Sequence, residues 1–144
     1  MDNNGYLLSK VKKNNNVHLQ KTGMQMKILV CEDDNLLLKA LKFRLKKDGF
    51  EVLTAEDGKK AIEIIGAQEA DFIISDIMMP YIKGLELLSY VRQKFSEKKI
   101  PFIILSGINN EATKIESIEL GADDYIVKPF IPSELSFRIK KMLK

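Results

Sequence analysis

From Met26 onward, short apolar and β-branched runs alternate with longer stretches whose apolar residues recur every three or four positions. The short runs are typical of strands buried on both faces, and the longer stretches are typical of the amphipathic helices that cover them. Parallel strands need a crossover long enough to hold a helix, and such crossovers are right-handed. The sequence therefore predicts an α/β fold, with a doubly wound five-stranded parallel sheet and helices on both faces.

Five strand–helix pairs are predicted from this pattern. The strands are Lys27–Cys31, Phe50–Thr54, Phe72–Ser75, Pro101–Leu105 and Tyr125–Val127, and the helices are Asn35–Lys47, Gly58–Ile65, Leu85–Phe95, Glu111–Leu120 and Pro132–Leu143. Gly49 is a stop signal just after the first helix, and Pro132 stands at a first helical position, where proline is tolerated.

Residues 1–25 lack this alternation, and they carry four lysines and one acidic residue. We predict a flexible polar tail over 1–25 and one folded domain over 26–144; the alternative for the tail is a basic arm that meets an acidic partner. His18, the only histidine, lies in this tail and is not expected to be catalytic. From Met26 onward there are 19 basic and 19 acidic residues, so direct nucleic-acid binding by this domain is not expected.

The chain carries no sign of secretion or membrane insertion. Its longest apolar runs are about five residues, far below the roughly 20 that cross a bilayer, and no apolar signal-peptide stretch opens the sequence. A single cysteine, Cys31, excludes an internal disulfide and suits a reducing compartment. We expect a cytoplasmic protein that does not associate with membranes.

Polar side chains follow four of the predicted strands, at the edge of the sheet where ligands of doubly wound folds bind. They are Glu32, Asp33 and Asp34 after the first strand, Asp76 after the third, Ser106 after the fourth and Lys128 after the fifth. Clustered carboxylates repel one another, and a hard cation such as Mg²⁺ is the usual solution. Asp76 would then stay ionised as a nucleophile for a phosphoryl group, whose oxygens Lys128 and Ser106 could bind.

Each of these residues also has a plainer interpretation. Asp34 equally suits a helix N-cap, and Lys128 taken alone suits a solvated surface lysine. Met78 and Met79 are more typical of gap-filling core residues than of a cofactor site. The functional hypothesis therefore depends on all of these residues lying together at one edge of the sheet.

Four segments of the chain resemble, in order and spacing, the receiver domain of bacterial two-component response regulators. They are ILVCEDD, SDIMMP (Ser75–Pro80) with Gly84 behind it, the pair Ser106–Gly107, and GADDYIVKPF (Gly121–Phe130). The resemblance covers Met26 to the C-terminus, and its last part is most similar to winged-helix regulators. It implies a flavodoxin-like, CheY-like sheet in the order 2-1-3-4-5.

Carried over to this sequence, the resemblance implies a phosphorylation site and a Mg²⁺ site. Asp76 matches the phospho-acceptor, and Glu32 and Asp33 match the acidic pair that holds Mg²⁺ directly or through water. Asp76 itself and the backbone carbonyl of Met78 complete the expected metal ligands. The domain would catalyse only its own phosphorylation and slow dephosphorylation.

The resemblance also implies a conformational switch. Ser106 matches the hydroxyl that turns towards the phosphoryl group, Lys128 the lysine that pairs with it, and Tyr125 the aromatic switch residue. The Lys128–Pro129 peptide bond is expected to be cis. Lys83 departs from the family pattern, because an acidic residue is common at that position.

The resemblance implies a sensor histidine kinase as a partner. Two alternatives stay open for the output: a separate output domain absent from this chain, or a single-domain regulator that acts on a partner. Asp123, Asp124 and Arg138 resemble part of the charge pattern by which winged-helix members dimerise through the face formed by helix 4, strand 5 and helix 5. A solvated charged surface is the alternative, because exposed ion pairs contribute little singly. The sequence does not identify the kinase, the stimulus or the output.

Three other functions remain as alternatives. A phosphatase or hydrolase that forms an aspartyl phosphate typically needs a general acid two residues after the nucleophile, where this chain has Met78. A degenerate receiver used only for binding disagrees with the intact site residues. A dinucleotide-binding fold disagrees with a first turn, CEDDN, that lacks glycine.

Overall fold

The structure is a computed structural model that describes residues 25–144. Within these residues, a five-stranded sheet has the order β2-β1-β3-β4-β5, and every pair of neighbouring strands is parallel. The strands are β1 Lys27–Cys31, β2 Glu51–Ala55, β3 Phe72–Asp76, β4 Phe102–Ser106 and β5 Asp124–Val127. The helices are α1 Asn35–Lys47, α2 Gly58–Ala67, α3 Gly84–Lys94, α4 Glu111–Glu119 and α5 Pro132–Met142. The predicted fold class and strand order are confirmed.

The predicted tail lies outside the described residues except for Gln25, whose side-chain amide donates to the Gly49 carbonyl at 2.9 Å. No helix in the described part of the chain is long and apolar enough to cross a membrane.

The sheet separates two apolar cores because successive side chains of a strand point to opposite faces. Ile28 and Val30 of β1 lie in the core beneath α1 and α5, whereas Leu29 and Cys31 lie in the core beneath α2 and α3. All five residues of β3 and all five of β4 are buried. This two-sided burial explains why the strands read as continuous apolar runs.

Strand boundaries differ from the prediction by a residue or two. β4 begins at Phe102 because Pro101 has no N–H for the ladder, although the Pro101 carbonyl still accepts from Ile73 N at 2.9 Å. β3 and β4 each extend one residue further than predicted, to Asp76 and Ser106. The backbones of Asp76 and Ser106 are therefore fixed by the sheet itself.

Arg92, on α3, forms hydrogen bonds with residues just before β4 and just before β5. Its guanidinium donates to the Gly121 carbonyl at 2.8 and 3.1 Å, to the Ile100 carbonyl at 2.6 Å and to Asp123 Oδ2 at 3.1 Å. Asp123 Oδ2 also accepts from Phe102 N at 2.9 Å. The start of β4 and the turn between α4 and β5 are thus anchored to the last turns of α3.

Asp48, which ends α1, forms a polar link to α5. Its side chain is 7% exposed and accepts from Ser136 Oγ at 2.5 Å and from Lys140 Nζ at 3.3 Å. Arg44, one turn earlier on α1, lies 3.4 Å from the same carboxylate. Burial alone would raise the pKa of Asp48, but the hydrogen bonds from Ser136 and Lys140 and the charges of Lys140 and Arg44 lower it below its ordinary value.

Replacing Asp48 with Asn should therefore reduce the free energy of unfolding in a pH-dependent way. A carboxylate whose pKa is lower in the folded state stabilises the protein above the unfolded pKa of about 3.9, and it loses this effect as the pH falls through the folded pKa. We expect a loss of about 1–2 kcal/mol near neutral pH, measured by urea unfolding, that shrinks below about pH 4. A difference that stays constant in acid would contradict the ionic role of Asp48.

Candidate functional site

The parallel register brings the polar strand ends to one edge of the sheet. Cys31 pairs with Ser75, so Glu32 and Asp76 follow neighbouring positions on β1 and β3. Ser106, the last residue of β4, pairs with Val127, and Lys128 comes next in the chain.

Glu32, Asp33 and Asp76 form a carboxylate cluster at this edge. Each offers one oxygen, and these oxygens all lie within 4.8 Å of one another. Glu32 is 0% exposed and Asp76 is 7% exposed, whereas Asp33 faces solvent. Three negative groups at this spacing repel one another, so the cluster is a binding site for positive charge.

Lys128 supplies one such charge. Its Nζ lies 2.8 Å from Glu32 Oε1 and 3.1 Å from Asp76 Oδ2. Burial by itself would lower the pKa of Lys128, but the close ion pair with Glu32 and the charge of Asp76 raise it above its ordinary value. The peptide bond that follows it, Lys128–Pro129, is cis.

Lys128 only partly offsets the cost of burying a charged Glu32 carboxylate. Burial, reinforced by the nearby Asp76 charge, raises the pKa of Glu32 to about 7 against the opposing effects of Lys128 and the Asp34 N–H. The Asp34 N–H donates to Oε2 at 3.1 Å, while the buried Oε1 has the ion pair with Lys128 and no well-directed hydrogen bond. An incompletely satisfied buried carboxylate oxygen beside two further carboxylates fits a hard divalent cation such as Mg²⁺.

The segment after Asp76 is packed closely against it. Met78 N lies 3.3 Å from Asp76 Oδ1, while the Met78 side chain is 53% exposed. Gly84 N donates to the Ile77 carbonyl at 3.0 Å, and a Cβ on Gly84 would overlap the Asp76 carbonyl oxygen. Gly84, which follows the SDIMMP segment, thus allows α3 to begin directly beside the backbone of Asp76.

Ser106 and Tyr125 both form hydrogen bonds with the backbone of Ile108, a residue that the sequence analysis did not single out. Ser106 Oγ accepts from the Ile108 N–H at 2.9 Å, and the Tyr125 hydroxyl donates to the Ile108 carbonyl at 2.5 Å. Ser106 is 0% exposed and Tyr125 is 5% exposed. Ile108 contributes only backbone atoms, so its side-chain identity gave no signal of this role.

Two residues of ambiguous function are helix caps. Asp34 Oδ1 accepts from Leu36 N at 3.0 Å and from Leu37 N at 3.2 Å, which makes it the N-cap of α1 and leaves it outside the carboxylate cluster. Lys83 is the N-cap residue of α3, and its N–H donates to Glu86 Oε1 at 2.9 Å.

The residues with a dimer-like charge pattern are paired within the chain. Arg138 Nη1 lies 3.1 Å from Asp124 Oδ1, and Arg138 Nη2 lies 3.0 Å from Glu134 Oε2. Asp123 is held by Arg92. All of these acids therefore already have a cationic partner in the monomer.

Comparison with known proteins places this arrangement in a family. The family model described as "Response regulator receiver domain" matches residues 28–140, a range that includes Glu32, Asp33, Asp76, Ser106 and Lys128. The chain belongs to the response regulator receiver domain family. The receiver is therefore a domain of two-component signalling proteins, as the resemblance indicated.

A curated relative and two solved structures illustrate the match. The alkaline phosphatase synthesis transcriptional regulatory protein PhoP of Bacillus subtilis (strain 168) is 36% identical over 121 residues, which cover 84% of this chain and 50% of PhoP, so the receiver spans half the length of that relative. The receiver domain of the Francisella response regulator 1452 is 36% identical, with a TM-score of 0.76 over 82% of this chain and 96% of that one. The chemotaxis response regulator CheY4 of Vibrio cholerae is 30% identical, with a TM-score of 0.77 over 82% of this chain and 98% of that one.

Proposed function

We propose that this receiver accepts a phosphoryl group on Asp76 from the phosphohistidine of a sensor histidine kinase, in a Mg²⁺-dependent reaction. The observation that supports this most directly is the meeting of Glu32, Asp33 and Asp76 at one sheet edge, with the ammonium group of Lys128 between two of them. An acceptor carboxylate, an acidic metal site and a cation for the phosphoryl oxygens are the groups that such a transfer needs.

In the proposed transfer, an Asp76 carboxylate oxygen attacks the phosphorus atom. The P–N bond of the phosphohistidine breaks as the O–P bond forms, and the imidazole leaves with the electron pair. Lys128 lies 3.1 Å from Asp76 Oδ2, so its ammonium group can pair with the transferred phosphoryl oxygens.

Glu32, Asp33, Asp76 and the Met78 carbonyl would hold Mg²⁺. When bound, the ion would offset the negative charge that develops on the transferring group. Glu32 and Asp33 would serve as oxygen ligands, and the burial of Glu32 holds its carboxylate in one position.

The response would begin at Ser106 and Tyr125. A phosphoryl group on Asp76 offers new acceptors to the Ser106 hydroxyl, and a turn of Ser106 would break its present bond with Ile108 N. The Tyr125 hydroxyl is hydrogen-bonded to the same residue, Ile108. The side chains of Ser106 and Tyr125 can therefore rotate together and alter the face formed by α4, β5 and α5. This is a population shift driven by contacts that exist in only one state. We propose a cytoplasmic location and an output domain or partner as the target of that face.

Labelling with a small phosphodonor such as phosphoramidate tests the proposal. We expect one phosphoryl group per chain by mass spectrometry when MgCl₂ is present, and loss of labelling when EDTA removes the metal. Absence of labelling with Mg²⁺ would contradict the proposal. Sustained hydrolysis of p-nitrophenyl phosphate would favour the phosphatase alternative instead.

Met78 is expected to lengthen the lifetime of the phosphorylated state. Its side chain is apolar and stands two residues after Asp76, where it can hinder an attacking water. Met78→Asn should shorten the lifetime severalfold, followed as loss of the phosphorylated species by mass. Tyr81→Asn is a matched control, because Tyr81 is an exposed residue of the same loop with a positive φ that Asn tolerates. Equal lifetimes for wild type and Met78→Asn would overturn this role.

Homodimerisation through the α4–β5–α5 face stays a prediction. In such a dimer, Arg138 would exchange its internal pair with Asp124 for a pair between chains. Sedimentation with beryllofluoride and Mg²⁺ should show a dimer that Arg138→Ala weakens, and a monomer at all concentrations would contradict it.

A further inference from the structure

The loop that carries Met78, residues 77–83, adopts a conformation that its own sequence does not favour. Tyr81 has φ of 70°, in the left-handed region that residues other than glycine rarely adopt. Such a conformation persists when the surrounding structure holds it in place. Within the loop, Ile82 N donates to the Pro80 carbonyl at 2.8 Å, and at its start Ile77 N donates to the Leu105 carbonyl of β4 at 2.8 Å.

The first residue of α2 lies against this loop from outside. Gly58 N approaches the Pro80 carbonyl at 3.4 Å, and Gly58 is buried. A Cβ built on Gly58 would overlap the Ile82 carbonyl oxygen and come within 2.5 Å of Ile82 Cβ and 2.9 Å of its carbonyl carbon. Two of these three atoms are backbone, so a rotamer change of Ile82 cannot make room for a side chain.

A side chain at position 58 would displace the loop more readily than the helix. α2 is anchored in the core by Ala61 and Ile65, which are 0% and 4% exposed, and it is capped by Asp57 Oδ1, which accepts from Lys60 N at 2.8 Å. In the loop, Ile77 and Met79 are also buried, but the part that Gly58 contacts is more open, because Pro80 and Tyr81 are exposed and Ile82 is half-buried. Close-packed interiors transmit such a displacement to their more exposed neighbours.

We propose that Gly58 is a positioning residue for the phosphoryl-acceptor site: the absence of a side chain there sets the depth at which residues 77–83 sit beside Asp76. This inference rests on the proposed function, because its consequence is the placement of the Met78 carbonyl for Mg²⁺. Mg²⁺ demands nearly ideal octahedral geometry, so a small displacement of one oxygen ligand weakens binding.

Gly58→Ala compared with Gly66→Ala tests the proposal. Gly66 lies in the same helix, and a Cβ there would meet nothing within 4 Å, so the pair compares a methyl group that meets the loop with one that meets no neighbour. Mg²⁺ binding is measured by titrating the full chain with MgCl₂ and following the Met78 and Asp76 amide signals by NMR. We expect Gly58→Ala to raise the Kd for Mg²⁺ about tenfold and Gly66→Ala to leave it unchanged.

A purely structural role of Gly58 would lower the melting temperature of the metal-free protein and leave the Kd for Mg²⁺ unchanged, which would overturn the proposal. Tyr81→Gly supplies a test that does not depend on the folding of the Gly58 variant. This change relieves the backbone strain at residue 81 but leaves the contact between Gly58 and Ile82 intact, so the Kd for Mg²⁺ should not change. A higher Kd for Mg²⁺ in Tyr81→Gly would show that Tyr81, and not Gly58, determines the position of the loop. If wild type binds Mg²⁺ and is phosphorylated while Gly58→Ala matches it, only this inference fails; if wild type does neither, the proposed function fails.

Discussion

Asp76→Asn should abolish labelling by phosphoramidate in the presence of Mg²⁺. The amide that replaces the carboxylate is not a nucleophile for phosphorus and cannot form an acyl phosphate. The fold should survive, because Asn has nearly the same shape and Asp76 is held by the ladder of β3 as well as by its side chain. We expect no phosphorylated species by intact-protein mass spectrometry at times when wild type is fully labelled.

Asp34→Asn is the matched control for this result. Asp34 lies two residues from Glu32, but its side chain caps α1, and Asn caps helices as well as Asp does. Labelling should therefore continue in Asp34→Asn. Persistent labelling of Asp76→Asn would place the acceptor elsewhere, and loss of labelling in both variants would point to general damage at this edge of the sheet.

Asp33→Asn should separate metal binding from folding. Asp33 is exposed and belongs to the carboxylate cluster, so its charge repels Glu32 and Asp76 when no cation is present. Removing that charge should leave the metal-free protein as stable as wild type or more stable. If Mg²⁺ binds as proposed, its Kd should rise about tenfold to hundredfold, because the ion would lose one of its few carboxylate ligands.

Thermal unfolding with increasing MgCl₂ measures both effects. A ligand that binds only the folded state stabilises it by RT ln(1 + [L]/Kd), so the melting temperature of wild type should climb with Mg²⁺ and that of Asp33→Asn should stay nearly flat. Glu63→Gln is the control, since it removes one exposed acidic charge from α2 away from the cluster. An equal Mg²⁺ response in Asp33→Asn and wild type would exclude Asp33 as a ligand.

The fold could be predicted because a parallel sheet buried on both faces leaves a strong signature in the sequence. Runs such as Phe72–Asp76 and Phe102–Ser106 are buried throughout, and α1 buries residues at intervals of three and four. Strand ends then follow from the chain order, and so does the position of the carboxylate cluster. The resemblance supplied the strand order and the roles of individual residues.

Other features depend on contacts that no local pattern encodes. The Arg92 network joins residues up to 31 positions apart, and the link from Asp48 to Lys140 spans 92 positions. Ile108 acts through its backbone, and Gly58 acts through the absence of a side chain. Asp34 was ambiguous because the same residue type serves both as a helix cap and as a metal ligand.

The proposed phosphoryl transfer requires that the carboxylates of Asp33 and Asp76 share one divalent ion. A crystal structure of the protein grown with MnCl₂, with anomalous data collected for manganese, tests it most directly. We predict a single strong anomalous peak bonded to oxygens of both side chains, with the Met78 carbonyl among its ligands. Asp33 and Asp76 carboxylates that lie apart, with no peak between them at saturating Mn²⁺, would contradict the account.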